Sequence, residues 1–297
     1  MLEYKEFIES KVRKHENTGF EVDRNILNSG MFEYQKDIVQ IALKKGKYAV
    51  FADCGLGKSF IELEWARVVN EYTKKPVLLL MPLEVCHQTL NEATNYNFTG
   101  EVRFITNQDE IFNGVNITNY DKLEKFNCDV FGGVVLDESS ILKNYTGKTK
   151  QLIFDKFKNT EYKLSATATP SPNDNMEILN QAEFLDVIRS TEALSEWFIN
   201  DTMNFGGYRL KEHAKEDFYR WLCSWSCSID KPSDLGYLDE GFILPELKID
   251  EVIVSSNNLE NTEGKLFRVP EALNATNFNK EKKMSLENRL QWTMEKV

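Results

Sequence analysis

The sequence predicts an α/β fold: a mostly parallel sheet flanked by helices, with a helical elaboration towards its end. Three observations carry this. Short, near-continuously apolar runs alternate with helix-period segments, the pattern of strands buried on both faces. A glycine-rich loop, Ala52–Ser59, joins one such run to a helix. A second run, Gly133–Leu136, ends directly in Asp137-Glu138.

The elements follow in order. Residues 1–30 read as a polar, partly helical lead-in, with Tyr4, Phe7, Ile8 and Val12 at rough helical spacing and Asn28-Ser29-Gly30 as the break. Phe32, Tyr34, Ile38, Val39, Ile41, Ala42 and Leu43 predict a helix that stops at Lys44-Lys45-Gly46. Tyr48–Ala52 predicts a buried strand, and Ile61, Leu63, Trp65, Ala66, Val68 and Val69 the helix after the glycine loop. Strands follow at Val77–Met81, Val102–Ile105, Val115–Thr118, Gly133–Leu136 and Tyr162–Ser165, with helices over Glu84–Ala93 and Thr146–Phe157. Residues 175–230 read as mostly helical and aromatic, Val252–Val254 as one more short strand, and 280–297 as a charged amphipathic helix. The expected organisation is a lead-in over 1–30, a first α/β domain over 31–255 with its elaboration at about 175–235, and a linker with the start of a truncated second domain of the same kind over 256–297.

Composition narrows the function classes. The 297 residues carry 36 Lys and Arg against 47 Asp and Glu, a net charge of −11. Gripping nucleic acid by bulk charge is thereby disfavoured, though a local basic groove is not. With 41% apolar and 28% charged residues, the chain is globular rather than disordered. Val77–Met81 falls far short of the ~20 residues of a membrane span. The charged opening MLEYKEFIES reads as no secretory signal. Five irregularly spaced cysteines suggest no disulfide scaffold, so a reducing, intracellular setting is expected.

Ala52-Asp53-Cys54-Gly55-Leu56-Gly57-Lys58-Ser59 fits the phosphate-binding loop, with Ala in place of its first Gly. Between a strand and a helix, such a loop wraps phosphates with backbone N–H groups, and the helix start adds a positive dipole. Lys58 is expected to reach the β- and γ-phosphates of ATP, and Ser59 to ligate Mg²⁺. Asp137, at the tip of a strand expected to neighbour the loop strand, is expected to hold the same ion. Glu138 is expected to orient and deprotonate the attacking water.

Further segments carry a resemblance. Asp137-Glu138-Ser139-Ser140-Ile141-Leu142-Lys143-Asn144 resembles the DExx box of superfamily-2 helicases, and its Leu-Lys-Asn end resembles the Swi/Snf group. Phe32-Glu33-Tyr34-Gln35, Leu80-Met81-Pro82-Leu83, Ile117–Leu123 and Thr167-Ala168-Thr169-Pro170-Ser171-Pro172-Asn173 resemble further motifs of that group, in its order. With Lys231-Pro232-Ser233-Asp234-Leu235-Gly236-Tyr237, the chain is similar over nearly its whole length to the Swi/Snf-related DEAD-type helicases of bacteriophages and prophages. The resemblance implies a RecA-like P-loop NTPase domain, ATP with Mg²⁺, and a nucleic-acid partner, DNA in particular. It implies Gln35 as the reader of adenine, and Pro82, Asn119, Thr167 and Thr169 near nucleic acid or coupled to it. It further implies a second RecA-like domain in cis or in trans, an association with phage replication proteins, no membrane, and the cytoplasm of a bacterial host.

Three departures stand out. Ser139-Ser140 replaces the usual Ala-His, Ala168 replaces Gly, and the arginine-rich segment that a second RecA-like domain brings to the γ-phosphate is not found. The chain therefore reads as an N-terminal half, nearly inactive alone. An ATP-binding regulatory module acting through a partner protein is the alternative, and an unrelated P-loop hydrolase such as a nucleotide kinase a third reading. Cys223 and Cys227, four apart on a helical pattern, read as core rather than as a zinc site, since only three His and no second Cys pair accompany them. Cys54 reads as a passive small residue and His87 as solvated or capping. The aromatics of 197–225 read as core before base stacking, and Gly206–Lys211 as a loop or a backbone contact.

Overall fold

The computed structural model describes residues 15–95, 97–143, 147–171, 176–201, 207–243, 251–252, 282–283 and 285–296. Two compact units are distinguished, Met1–Ile243 and Leu244–Val297.

The first unit is built on β1 (Lys47–Ala52), β2 (Val77–Met81), β3 (Val102–Phe104), β4 (Val115–Asn119), β5 (Gly133–Leu136), β6 (Tyr162–Ala166) and β9 (Ser226–Ile229). These form one sheet in the order β3-β4-β2-β5-β6-β1-β9, and its pairings are all parallel. Two further strands, β7 (Phe198–Asp201) and β8 (Gly207–Leu210), make a separate antiparallel pair.

Side chains alternate across the sheet and feed two cores. Tyr48, Val50, Ala52, Val77, Leu79 and Met81 face α1 (Glu33–Lys45), α2 (Lys58–Thr73) and α3 (Leu83–Asn95). Ala49, Phe51, Leu78, Leu80, Val134 and Leu136 face α4 (Lys148–Lys156), α5 (Glu177–Phe184), α6 (Ser190–Trp197) and α7 (Lys215–Trp225). Burial on both sides explains why the strands read as continuous apolar runs. The expected α/β class, with a mostly parallel sheet under helices on both faces, is the observed one.

The elaboration differs from its expectation. Residues 175–230 are not simply helical: they include the β7–β8 pair and β9, which pairs with β1 and extends the main sheet. The sequence Ser226-Cys227-Ser228-Ile229 is short and half polar, so it carries no apolar signal of a strand. It also separates Cys223, on α7, from Cys227, on β9; the two do not share a helix as their spacing suggests. Among the described residues no group of three or more His, Cys, Asp and Glu forms a metal cluster.

Most of the described aromatics of this region are core, whereas Tyr219 is exposed and Tyr208 half-buried. Trp197 stacks on Trp221 at 4.5 Å between ring centroids, and Trp221 lies 5.2 Å from Trp225. Lys211 donates from Nζ to the carbonyls of Ser195 and Glu196 at 2.9 and 2.8 Å, so the basic end of the Gly206–Lys211 string caps the end of α6. Lys231–Tyr237 is also structural. Asp234 accepts from the N–H groups of Asp230 and Lys231, and the Tyr237 hydroxyl donates to Asp37 on α1.

In the second unit, α8 (Leu286–Lys296) forms within the predicted 280–297 helix. Val252 lies outside any strand, while Ile253 and Val254, like the first residues of the lead-in, lie outside the described residues. Among the described residues no helix is long and apolar enough to cross a membrane.

Candidate nucleotide site

The loop after β1 has the backbone of a phosphate cradle. Gly55 and Gly57 have φ of +85° and +71°, the left-handed region that glycine enters without strain. A Cβ on Gly57 would lie 2.5 Å from Gln35 Nε2, whereas one on Gly55 would meet nothing within 4 Å. The loop is thus tight beneath Gly57 and open above Gly55. Buried Leu56 pins it to the core, and Asp53 N–H donates to the Ile229 carbonyl of β9 at 3.0 Å. Lys58, the first residue of α2, donates from Nζ to the carbonyls of Ala52 and Asp53 at 2.8 and 3.3 Å. Ser59 follows on the same first turn, where N–H groups and the helix dipole favour an anion. Cys54 sits exposed in the loop.

Gln35 does not stand free to meet a base. Its Oε1 accepts from the Phe32 N–H at 3.0 Å, and its Nε2 donates to the Leu56 carbonyl at 3.0 Å. Tyr34 donates its hydroxyl to the same carbonyl at 2.9 Å. The Tyr-Gln pair therefore clamps the phosphate loop from below.

Asp137 and Glu138 leave the tip of β5. Asp137 N–H donates to the Leu80 carbonyl at 2.9 Å, and the buried Tyr120 hydroxyl donates to the Asp137 carbonyl at 2.6 Å. Glu138 adopts φ +49°, strained for a residue with a Cβ. Its N–H donates to Asp137 Oδ1 at 2.9 Å. The Thr167 hydroxyl donates to Glu138 Oε2 at 3.2 Å and accepts from the Thr169 N–H at 3.1 Å.

β1 and β5 are not adjacent, as the sequence reading expects; β6 lies between them. Insertion of β6 puts Thr167, at its tip, between the phosphate loop and the Asp-Glu turn. The two clusters still meet. Burial, then the Glu138 charge, pushes the Asp137 carboxyl up, and Lys58 acts on it in the opposite sense.

One residue of this cluster escapes sequence reasoning. Glu62 on α2 is 1% exposed and among the buried residues of that helix. Burial, then the Asp137 charge, pushes its carboxyl well up, while Lys58 lowers it and Glu138 raises it. Neither carboxylate oxygen has a hydrogen-bond acceptor's usual donor. The signal was present as a Glu inside Phe60-Ile61-Glu62-Leu63, but an isolated Glu in an apolar helix has no pattern to announce it.

The oxygen ligands present fit a hard cation: the Ser59 hydroxyl, the Asp137 carboxylate and the adjoining Glu62 carboxyl, which no N–H or O–H donor of the described residues reaches. Pro82 and Asn119, at the tips of β2 and β4, line a cleft of about 370 Å³ with Leu83, Tyr120, Glu138 and Ser140. Glu138 thus borders both the loop cluster and this cleft. Thr169 is exposed beside buried Thr167, while Pro172, Asn173 and Asn144 of the sequence motifs lie outside the described residues. His87 is exposed on α3, with its ring 5.5 Å from that of Phe104.

A parallel sheet of this order, with a phosphate loop after β1 and an Asp-Glu turn after β5, is the RecA-like α/β fold. The chain is similar to the SWI2/SNF2 ATPase core of Sulfolobus solfataricus in complex with dsDNA, at TM-score 0.60 and 17% identity over 72% of this chain and 47% of that one. It is similar to the same organism's SWI2/SNF2 ATPase core domain alone, at TM-score 0.54 and 16% identity over 72% and 48%. A weaker similarity, at TM-score 0.44 and 18% identity over 63% and 66%, is to the UvsW helicase from bacteriophage T4. The chain thus spans about half the length of the SWI2/SNF2 cores it matches. No family model matches the sequence, and no curated protein matches it.

Proposed function

We propose that this chain is the ATP-binding half of a superfamily-2 nucleic-acid motor, acting on DNA and hydrolysing ATP to ADP and phosphate. The observation that carries the reading is the convergence of Lys58 with Asp137 and Glu138 at one edge of the sheet. The loop N–H groups and the start of α2 bind the phosphates, and Lys58 turns from the loop carbonyls to the β- and γ-phosphates. Ser59 and Asp137 would hold Mg²⁺, whose charge would offset that of the transferred phosphoryl group. Glu138 orients water and takes its proton.

Thr167 carries the state of Glu138 into the segment ending at Thr169. Pro82 and Asn119 lie across the 370 Å³ cleft from Glu138, where a nucleic-acid strand can sense the same carboxylate. DNA as the polymer is supported by the double-stranded DNA in the complex of the Sulfolobus relative. The γ-phosphate arginines come from a second RecA-like domain, in cis or in trans. Such arginines contribute roughly 10³–10⁵ in rate in related chemistry, so these 297 residues alone bind ATP weakly and turn it over very slowly.

The test pairs Lys58→Ala with Glu138→Gln in the protein completed by its second domain, with ATPase measured with and without DNA. Lys58→Ala is expected to lose nucleotide binding; Glu138→Gln is expected to bind but not hydrolyse. ATPase persisting in both variants refutes the assignment.

A further inference from the structure

We propose that Glu62 is a third carboxyl group of the magnesium site, a positioning residue that acts through the hydration shell of the ion held by Ser59 and Asp137. The proposal rests on the nucleotide-site reading and extends it to a residue that the phosphate-loop and Asp-Glu motifs do not contain.

The geometry begins on α2. Glu62 follows Ser59 by three residues, so both project from the same side of the helix, one turn apart. That side faces the tips of β5 and β6, and Glu62 interacts there with Lys58, Asp137 and Glu138. The carboxyl group is 1% exposed, no N–H or O–H donor of the described residues reaches either oxygen, and its side-chain hydrogen-bond neighbour is the Asp137 carboxyl group, itself an acceptor when ionised. An unpartnered carboxyl group in a closed interior is costly, and buried polar groups are ordinarily satisfied.

Glu64, two residues on, shows what a structural carboxylate looks like on this helix. It is equally buried, but it accepts from Arg67 at 2.6 Å and from the Asn28 N–H at 2.8 Å. Glu62 has no such donors; the group it meets is the Asp137 carboxyl, one of the cation ligands proposed above. Lys58 does not satisfy it, because Nζ is turned to the carbonyls of Ala52 and Asp53. Magnesium keeps several of its waters when it binds, and those waters are donors of the kind Glu62 lacks. Carboxylates in this outer position orient the inner ligands and raise metal affinity.

The experiment measures equilibrium binding of a fluorescent ATP analogue to the wild type, Glu62→Gln and Glu62→Met, with Mg²⁺ and with EDTA. Mn²⁺ affinity of the nucleotide complex is read in parallel by electron paramagnetic resonance. Glu62→Gln is expected to weaken Mn²⁺ affinity about 10- to 100-fold, the range seen for outer-shell partners. Metal-free nucleotide affinity should hold, because Glu62 makes no contact of its own with the phosphates in this reading. Glu62→Met fills a similar volume and should repeat the split, so the test does not depend on one variant folding. Unchanged Mn²⁺ affinity, or an equal fall in metal-dependent and metal-free binding, overturns the proposal. A Lys58→Ala variant that binds nucleotide as tightly as the wild type overturns the nucleotide-site reading itself, and is distinguishable because Glu62 is intact in that comparison.

Discussion

Replacing Gln35 by alanine separates two roles for the Tyr-Gln pair. If Gln35 reads adenine, the variant loses ATP and leaves GTP binding unaffected. If it clamps the phosphate loop, every nucleotide suffers alike. The structure commits both ends of the amide, Oε1 to the Phe32 N–H and Nε2 to the Leu56 carbonyl, each at 3.0 Å. A neutral hydrogen bond contributes about 1 kcal/mol net, and only the one to Leu56 reaches the loop, so Gln35 contributes about 1 kcal/mol to holding it. That corresponds to roughly 5-fold in affinity, at about 1.4 kcal/mol per decade. The loss is tempered only at Leu56, whose carbonyl keeps the Tyr34 hydroxyl at 2.9 Å. The assay is fluorescence anisotropy with labelled ATP and GTP, and the expected result is a parallel fall for both. Weakened ATP binding beside unchanged GTP binding would refute the clamp and restore the base reader.

Other expectations are smaller in scope. Cys54 is exposed in the loop whereas Cys86 and Cys128 are buried, with thiols pushed by burial up to about 11 and about 12. A maleimide should therefore label Cys54 in the native protein and spare those two, and Mg²⁺ with ATP should slow the labelling of Cys54; mass spectrometry reads both. Trp221→Ala removes the centre of the tryptophan cluster, at about 3–5 kcal/mol, which for a unit of this size lowers the melting temperature by about 10 °C in differential scanning calorimetry. His15 is held below the ordinary histidine value first by burial, then by the charges of Lys45 and Lys47. At this position the unfolded chain binds more protons than the fold at acid pH, so the stability His15 contributes falls as pH drops below about 6.5, against the raised carboxyls of Asp137 and Glu62, which act in the opposite sense. Denaturant titrations from pH 7.5 to 5 should show the wild type losing stability relative to His15→Gln, in which those carboxyls are unchanged.

The legible parts of this fold share a physical reason. β1, β2 and β5 are buried on both faces, so each announces itself as an apolar run. Gly55, Gly57 and the Asp-Glu turn occur in fixed spacing because a backbone cradle and a strand-tip carboxylate leave little freedom. The illegible parts depend on partners distant in sequence. β9 exists because β1 offers an open edge to pair with, a property that Ser226-Cys227-Ser228-Ile229 does not encode. The clamp made by Gln35 depends on the carbonyl of Leu56, 21 residues away. The burial of Glu62 depends on the tip of β5 across the sheet. A reading by period finds elements, whereas these three features are set by which elements meet.

The order of strands turns the site into more than two adjoining motifs. Had β5 lain directly beside β1, Asp137 and Glu138 would have faced the loop with no residue between. With β6 inserted, its Leu164-Ser165-Ala166 backbone carries Thr167 to the point between them, wholly buried and hydrogen-bonded to Glu138. The same hydroxyl takes the Thr169 N–H, so a shift of the Glu138 carboxylate must either strain this link or move the segment after β6. Glu138 starts from a strained left-handed backbone, which lowers the cost of leaving its present position. On its other side it borders the cleft of Pro82 and Asn119. Glu138, on a strained backbone, thus neighbours Asp137, accepts from buried Thr167 and borders an open cleft. Under the proposed function, a change at the phosphate site would reach the cleft through Glu138 itself, and the segment after β6 through the Glu138–Thr167 hydrogen bond.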